Sequence, residues 1–553
     1  MEKKSNGKKI SITIGVAVIL VAVVVMGLIS KMQLTEPLDR GVAMGKAGIV
    51  QVAFGDKKAA TEIEDDGIFT IVTRSMGQET NPIFATQEGE RMAVDLIFEP
   101  LARRDSDGVL QTILAESIVY SEEKHVATVT IKNDILFSDG TPLEMEDVMV
   151  SLLLALLTSA TGTEYIAGID EFLAGATSLP LGLQMVNETT LQIIFDTYDL
   201  QNEQLFEIPI QKMTEFDFSA TMTDLGTYTK ETLGKGIGTN AYRLDENTMT
   251  QAYLVENEYY REPIESVKTV HIYDVDSIYI DQLIENQTVD YIYFGSQDAM
   301  LQTLVDDPRY SVYGKETSTV IGLMVNETSV PMKNYHLRQA VHYAIDRYEL
   351  MPEVHWYRYK PVSSILPSSA YFEVDAELES ERDKAEESYA TALEQLGFAT
   401  FFMTLPIIEG NDLYESVADG VQKELEEIGI NVNVKKRTTE EYIDSLYLMN
   451  DYDLYLEEVT LLGTQADYGS YATQFFESTP DNFAGIWENI AKAVTDEEKI
   501  LAYETANQVM RENSLFIPIA RGQNFVGIAS SWSGYEITPF TNVPENLHKC
   551  IYG

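Results

Sequence analysis

Few side chains in this 553-residue chain are placed for bond-making chemistry. Its six histidines, at 125, 271, 336, 342, 355 and 548, never fall at metal-ligand spacing. His342 lies on the polar side of an amphipathic segment and reads as a surface residue. Cys550 is the sole cysteine, which excludes an intrachain disulfide, an iron–sulfur cluster or a multi-cysteine zinc site. The patterns G-x-S-x-G, H-E-x-x-H and Walker A do not occur. Gly236-x-Gly238-x-x-Ala241 has the form of a dinucleotide fingerprint. No hydrophobic strand precedes it, however, and the residues after it read as strand rather than helix. Polar loops at the ends of strands remain as the candidate sites.

Those loops need elements to hold them. The clearest unit runs from Phe401 to Arg437: a strand (Phe401–Ile408), a helix with the stripe Leu413, Val417, Val421, Leu425 and Ile428, a glycine stop at Gly429, then the alternating Ile430, Val432 and Val434. In such βαβ units ligands sit beyond the strand carboxyl ends, where Gly410, Asn411 and Asp412 fall. Asn326 to Met351 reads as loop and helix after the apolar run Ile321–Asn326, with Leu337, Ala340, Val341, Ala344 and Ile345 on one face. A first strand, Ile68–Val72, leads into the polar loop Gln78–Asn81, and a helix is expected over Glu90–Leu101. Val126–Ile131 alternates as a strand. Thr141-Pro142-Leu143-Glu144 fits a capping box opening a helix. Val267–Val275, Ser277–Glu285 and Val289–Gly295 form a strand–helix–strand order that favours a parallel pair. Near the end, a helix over Asp496–Asn513 precedes a strand, Leu515–Arg521.

Size and charge bound the rest. A chain this long needs more than one core. At 45% hydrophobic and 10% aromatic residues it is globular. A formal charge of -49 argues against nucleic acid and anionic lipid as partners, because little is present to neutralise phosphate. Residues 1–9 form a basic stub with Lys3, Lys4, Lys8 and Lys9. Ile10 to Ile29 carries no charge and is long enough to span a bilayer. The basic flank places the chain beyond Lys31 outside the cytoplasm. A cleaved signal has a shorter apolar core, so a retained anchor over 10–30 is expected, with 31–66 as a linker.

Several stretches carry a family resemblance: Asn326-x4-Pro331 and then LRQA-x2-YAIDR, FSDGTPLEMEDV (137–148), NEYYREP (257–263), and the Phe401–Arg437 unit. The chain resembles the large extracytoplasmic solute-binding proteins of ABC importers, the oligopeptide/dipeptide-binding family (family 5). The resemblance covers about 67–528. It implies a two-lobed α/β periplasmic-binding-protein-like fold of class II type with an extra subdomain in the first lobe. The first lobe would comprise 67–317 and 521–553, with the subdomain at about 92–230, and the second lobe 318–520. It starts the helix after Asp139-Gly140 a few residues later than the capping box does. By position it makes Gln78, Glu79, Thr80 and Asn81 cleft residues. It also gives Asp467, within Ala466-Asp467-Tyr468, the role of pairing with a peptide's amino terminus, with Tyr468 and Tyr471 as pocket walls. Family members usually have a Trp before that Asp and a D/E-P after it; here Gly463-Thr464 and Gly469-Ser470 stand instead. Members are often lipid-anchored on a Cys after the signal, which this chain lacks, so the helix does the tethering. The implied function is not enzymatic: capture of a short peptide by hinge closure and delivery to an ABC permease, with no metal or cofactor. A tethered ligand sensor, or a binder of a nickel chelate or oligosaccharide, are the other readings.

Overall fold

The structure, a computed structural model, describes residues 42–43, 48–56, 67–157, 165–177, 179–196, 200–212, 236–275, 282–286, 288–294, 300–350, 359–366, 378–449, 451–460, 485, 489–490, 492–493 and 495–553. Two long strands, Tyr310–Val325 and Phe516–Ala529, form its axis. They pair antiparallel along their length, and both are buried over most of their length because both faces of each strand are covered. Their outer halves serve one set of cores, through Val312, Tyr313, Phe525 and Val526. Their inner halves serve another, through Ile321, Leu323, Met324, Phe516 and Ile517.

On the first side the sheet continues through Tyr291–Phe294, Ile68–Thr73, Thr269–Asp274, Gln251–Glu256 and Tyr242–Asn247. Thr269–Asp274 and Tyr291–Phe294 do run parallel, but they do not pair with each other. Ile68–Thr73 inserts between them and bonds to both. Local strand–helix–strand order fixes direction; which strand occupies the middle is a tertiary choice that brings in a segment some 200 residues earlier in the chain. The helix Glu88–Ile97 covers this sheet, starting two residues before the sequence pattern suggests. A separate four-stranded sheet, with Val126–Ile131 inside it, packs against the helix Met145–Leu157 around its own core. That helix does not open at Thr141. Thr141 instead bonds Asp139, and Asp147 accepts from the backbone of Glu144 at 2.8 Å, so the start falls where the family pattern places it. Gly236–Asn240 is a loop entering the strand Tyr242–Asn247, which removes the helix that a dinucleotide site requires.

On the second side the βαβ unit forms as the spacing predicts. Phe401–Ile408 and Ile430–Arg437 pair parallel, and Leu413, Val417, Val421, Leu425 and Ile428 are buried between the intervening helix and its core. The stripe on the helix Tyr335–Ala344 is buried too. Its polar side is not solvated, and the surface reading of His342 is wrong. The helix Asp496–Asn513 ends against that side, and Gln339 Nε2 donates to the carbonyls of Arg511 and Glu512 at 3.0 and 2.8 Å. His342 is 5% exposed, and a helix sandwiched on two faces cannot be recognised from one apolar stripe. Among the described residues no helix is long and apolar enough to cross a membrane; the segment 10–30 lies outside them.

Burial holds the imidazole of His342 neutral, with its pKa pushed down to about 3, helped by the charges of Arg347 and Arg511. The unfolded chain takes up a proton near pH 6.5 and the folded chain resists until about 3. The contribution is therefore complete above 6.5 and lost as pH falls through that window. In urea unfolding, the stability advantage of wild type over His342→Gln is expected to shrink by up to about 1.4 kcal/mol per pH unit between 6 and 4. A constant difference would show that the imidazole is not held neutral.

Candidate functional site

The carboxyl ends of three parallel strands, at Thr73, Asp274 and Phe294, face the same way. The loop after Thr73 is built around a buried carboxylate. Glu90 Oε1 accepts from the backbone N–H of Glu79 at 3.0 Å, and Oε2 accepts from Thr86 and Gln87 at 3.0 and 2.9 Å. Gly77 makes room for it: a Cβ there would stand 2.0 Å from Glu90 Oε1. Glu79 turns back likewise, accepting from the N–H groups of Thr80 and Asn81, and Asn81 Oδ1 accepts from Ile83. Of the four predicted cleft residues, Glu79, Thr80 and Asn81 are thus buried within their own turn and shape its backbone. Gln78 alone is exposed, touching the carbonyl of Asn247 at 3.4 Å. The Nδ2 of Asn81 is buried without a hydrogen bond, a donor still available to this loop.

Side chains with no signal of their own in the sequence gather beside this turn. Glu88 accepts from the hydroxyl of Thr73 and from the backbone of Arg74. Burial raises its pKa despite those bonds and the charges of Arg74 and Arg91. Burial and the Glu88 charge also push the phenol of Tyr293 up to about 12, and Asn524 donates to that phenol at 2.8 Å. Strand order supplies this grouping, since Thr73, Tyr293 and Asn524 come from three neighbouring strands.

The axis has two register irregularities, a single-residue slip at Ile321/Gly322 and a larger one nearby. Glu316 pairs with Gln523 and Val320 with Arg521, so Thr317, Ser318 and Thr319 stand opposite Gly522 alone. This is a bulge, closed by a hydrogen bond from Thr317 Oγ1 to the Gly522 carbonyl at 3.0 Å. Charged groups are buried around it. The Glu316 carboxylate lies 2.8 Å from Lys360 Nζ and 3.6 Å from Arg521 Nε. Arg521, wholly buried, donates to the carbonyls of Thr317 and Ile365 at 3.2 and 2.7 Å. Desolvation pushes Lys315 down to about 8 while it donates to the Thr541 carbonyl. The polar stretches Lys315–Thr319 and Arg521–Asn524, each between apolar runs, were the signal available in the sequence.

On the far side, Gly410 is exposed in a left-handed turn and donates to Glu415 at 2.9 Å. Asn411 caps the following helix, accepting from Tyr414 at 3.1 Å. Both therefore serve the helix start. The strand Leu454–Thr460 pairs with the inner half of Tyr310–Val325 and ends where residues 461–484 begin. Asp467, Tyr468 and Tyr471 lie outside the described residues. Glu457 and Glu458 on this strand have their pKa values raised, mainly by burial. Neither has a basic partner among the described residues.

This arrangement, two groups of α/β cores joined by a bulged strand pair with strand ends and polar loops beside the join, is that of a two-lobed solute-binding protein. The model of the bacterial extracellular solute-binding proteins, family 5, middle region, matches residues 110–482, and the chain belongs to that family. It is similar to heme-binding protein A of Haemophilus influenzae, with 22% identity over 379 residues, 65% of this chain and 68% of that protein. It is also similar to the nickel-binding periplasmic protein of Escherichia coli, with 23% identity over 269 residues, 47% of this chain and 48% of that one. Among solved structures, the unliganded open form of the periplasmic murein-tripeptide-binding protein MppA superposes with a TM-score of 0.71 at 18% identity, covering 89% of this chain and 98% of that one.

The buried carboxylates can be tested directly. Glu316→Gln removes the carboxylate charge facing the buried Arg521 and Lys360 and is expected to cost about 3 kcal/mol in denaturant unfolding. A loss within 0.5 kcal/mol of zero, roughly the scale of surface substitutions, would show that the cluster at the bulge is solvated. Glu90→Ala should cost about 2 kcal/mol by stranding buried backbone donors, and should speed amide exchange at Glu79, Thr86 and Gln87. Unchanged exchange there would remove Glu90 as the organiser of this loop.

Proposed function

We propose that this protein captures a short peptide between its lobes by hinge closure and hands it to an ABC permease, with no chemistry of its own. In this reading the first lobe comprises 67–317 and 521–553, with its subdomain at about 92–230, and the second comprises 318–520. Residues 10–30 tether both outside the cytoplasm. The bulge at Thr317–Thr319 and Gly522 is the hinge. Closure there brings the loop after Thr73 toward the loop after Thr460 and excludes water, which strengthens every polar contact inside.

The acidic strand Leu454–Thr460 carries the peptide reading. Glu457 is half-buried and Glu458 exposed, neither has a basic partner among the described residues, and in sequence they precede Asp467. A carboxylate in such surroundings is stabilised by a bound ammonium, which the amino terminus of a peptide supplies. Tyr468 and Tyr471 then wall the pocket. The similarity to a murein-tripeptide-binding protein supports the same class of ligand. A non-peptide solute is the second reading, favoured by the similarity to heme-binding and nickel-binding proteins.

The full chain, purified and denatured, should release peptides identifiable by mass spectrometry. Those peptides should stabilise fresh protein by about 2.7 kcal/mol at 100 times their dissociation constant. Asp467→Asn should weaken a free-amine peptide by roughly 1.5–3 kcal/mol in calorimetry, and an N-acetylated peptide should bind poorly to both forms. Equal affinity for the two forms would sink the role given to Asp467. Release of a metal chelate or porphyrin would replace the peptide reading with the second one.

A further inference from the structure

A cavity of about 250 Å³ lies away from the strand ends. Its walls come from the C-terminal end of the helix Glu88–Ile97, from the strand Ala102–Arg104 with its neighbours, and from the segment 541–549. The helix has its other end at the loop built on Glu90, about 15 Å away along its axis.

Acidic and basic side chains line this cavity, and most satisfy one another. Arg261 makes a two-pronged pair with Glu99 at 2.8 and 2.7 Å. Lys549 and His548 both reach Glu262, at 3.0 and 3.3 Å. Asp95 accepts from both amides of Asn542, and Lys132 donates to the carbonyl of Ile113. Two side chains of opposite sign are left over. The Arg103 guanidinium has no hydrogen bond or ion pair among the described residues. Among the described residues the carboxyl of Glu545 has only a long bond from Thr538, 3.4 Å. Burial raises the pKa of Glu545, and the Arg103 charge is the first influence opposing that rise, so the two sense each other without pairing directly. The phenol of Tyr260 lies in the same wall.

A simple anion on Arg103 would face Glu545, and a simple cation on Glu545 would face Arg103. One small molecule carrying both charges satisfies both at once. A guanidinium with all its donors free also matches a carboxylate in two-pronged fashion. We propose that this cavity is a second binding site, for a small zwitterion of the free amino acid class, with its carboxylate on Arg103 and its ammonium on Glu545. The site is separate from the interlobe cleft and does not depend on what the cleft takes.

Calorimetric titration of the full chain with glycine and L-alanine tests it, with glycinamide, N-acetylglycine, acetate and methylammonium as half-matched probes. The zwitterions should bind, and each half-matched probe should bind at least about ten-fold more weakly, the scale of one lost charge-assisted bond. Arg103→Gln and Glu545→Gln should each weaken the zwitterions by a similar factor. Asp467→Asn should leave them unchanged, and far-ultraviolet circular dichroism and peptide affinity should stay as in wild type for both cavity variants. No saturable heat with either amino acid would overturn the proposal, as would equal affinity in Arg103→Gln and wild type. Amino acid binding lost in Asp467→Asn would assign it to the cleft instead.

Discussion

The rest of the molecule depends on one ladder, the antiparallel pairing of Tyr310–Val325 with Phe516–Ala529. Each strand gives its outer half to one set of cores and its inner half to another, so each set is tied to the other by continuous backbone. Such a ladder would be stiff if it were unbroken. Its largest break is where three residues stand opposite one, and the groups buried there include Glu316, Lys360 and Arg521. A bulge concentrates twist and bending at one point, and a buried ion cluster tolerates few arrangements because each charge needs its partner. In the hinge reading proposed above, bending would be concentrated in these few residues while the strands on either side keep their packing.

Buried carboxylates recur with the same use elsewhere. Glu90, Glu79 and Glu88 spend their oxygens on backbone and hydroxyl donors of one loop. The polar residues of that loop are consequently its scaffold, and what it presents outward is a shaped backbone with Gln78 at its tip. On the other side Asn411 does the same work for a helix start. Glu457 and Glu458 contrast with all of these. They sit on a regular strand where no turn needs their oxygens, Glu457 half-buried and Glu458 exposed, and neither has a basic partner among the described residues. In the peptide reading proposed above, these carboxylates would favour a ligand that brings its own positive charge. The cavity at Arg103 and Glu545 obeys a different balance, with one charge of each sign left over.

Much of the fold was legible in the sequence wherever local periodicity and burial agree. The unit Phe401–Arg437 emerged with its strand, helix stripe and glycine stop in place, because one face of each element meets a core and the other meets solvent. The helix Asp496–Asn513 was legible for the same reason, with its capping residues at the start. Legibility failed where an element is covered twice. His342 and Gln339 carry polar groups on a face that a second helix buries, so polarity and exposure part company. It failed again at Thr141, where two possible helix starts compete within four residues and Asp147 decides between them.

The sequence by itself determined the elements, their class and the family, through periods, caps and motifs that act over a few residues. Only the tertiary structure decided which elements are neighbours. It set Ile68–Thr73 between two strands adjacent in sequence order, gathered Thr73, Glu88, Tyr293 and Asn524 into one cluster, and brought Glu316, Lys360 and Arg521 together at the bulge. The physical reason is that pairing across some 200 residues is chosen by how whole faces bury one another, a property of the assembled sheet that no short stretch of chain contains.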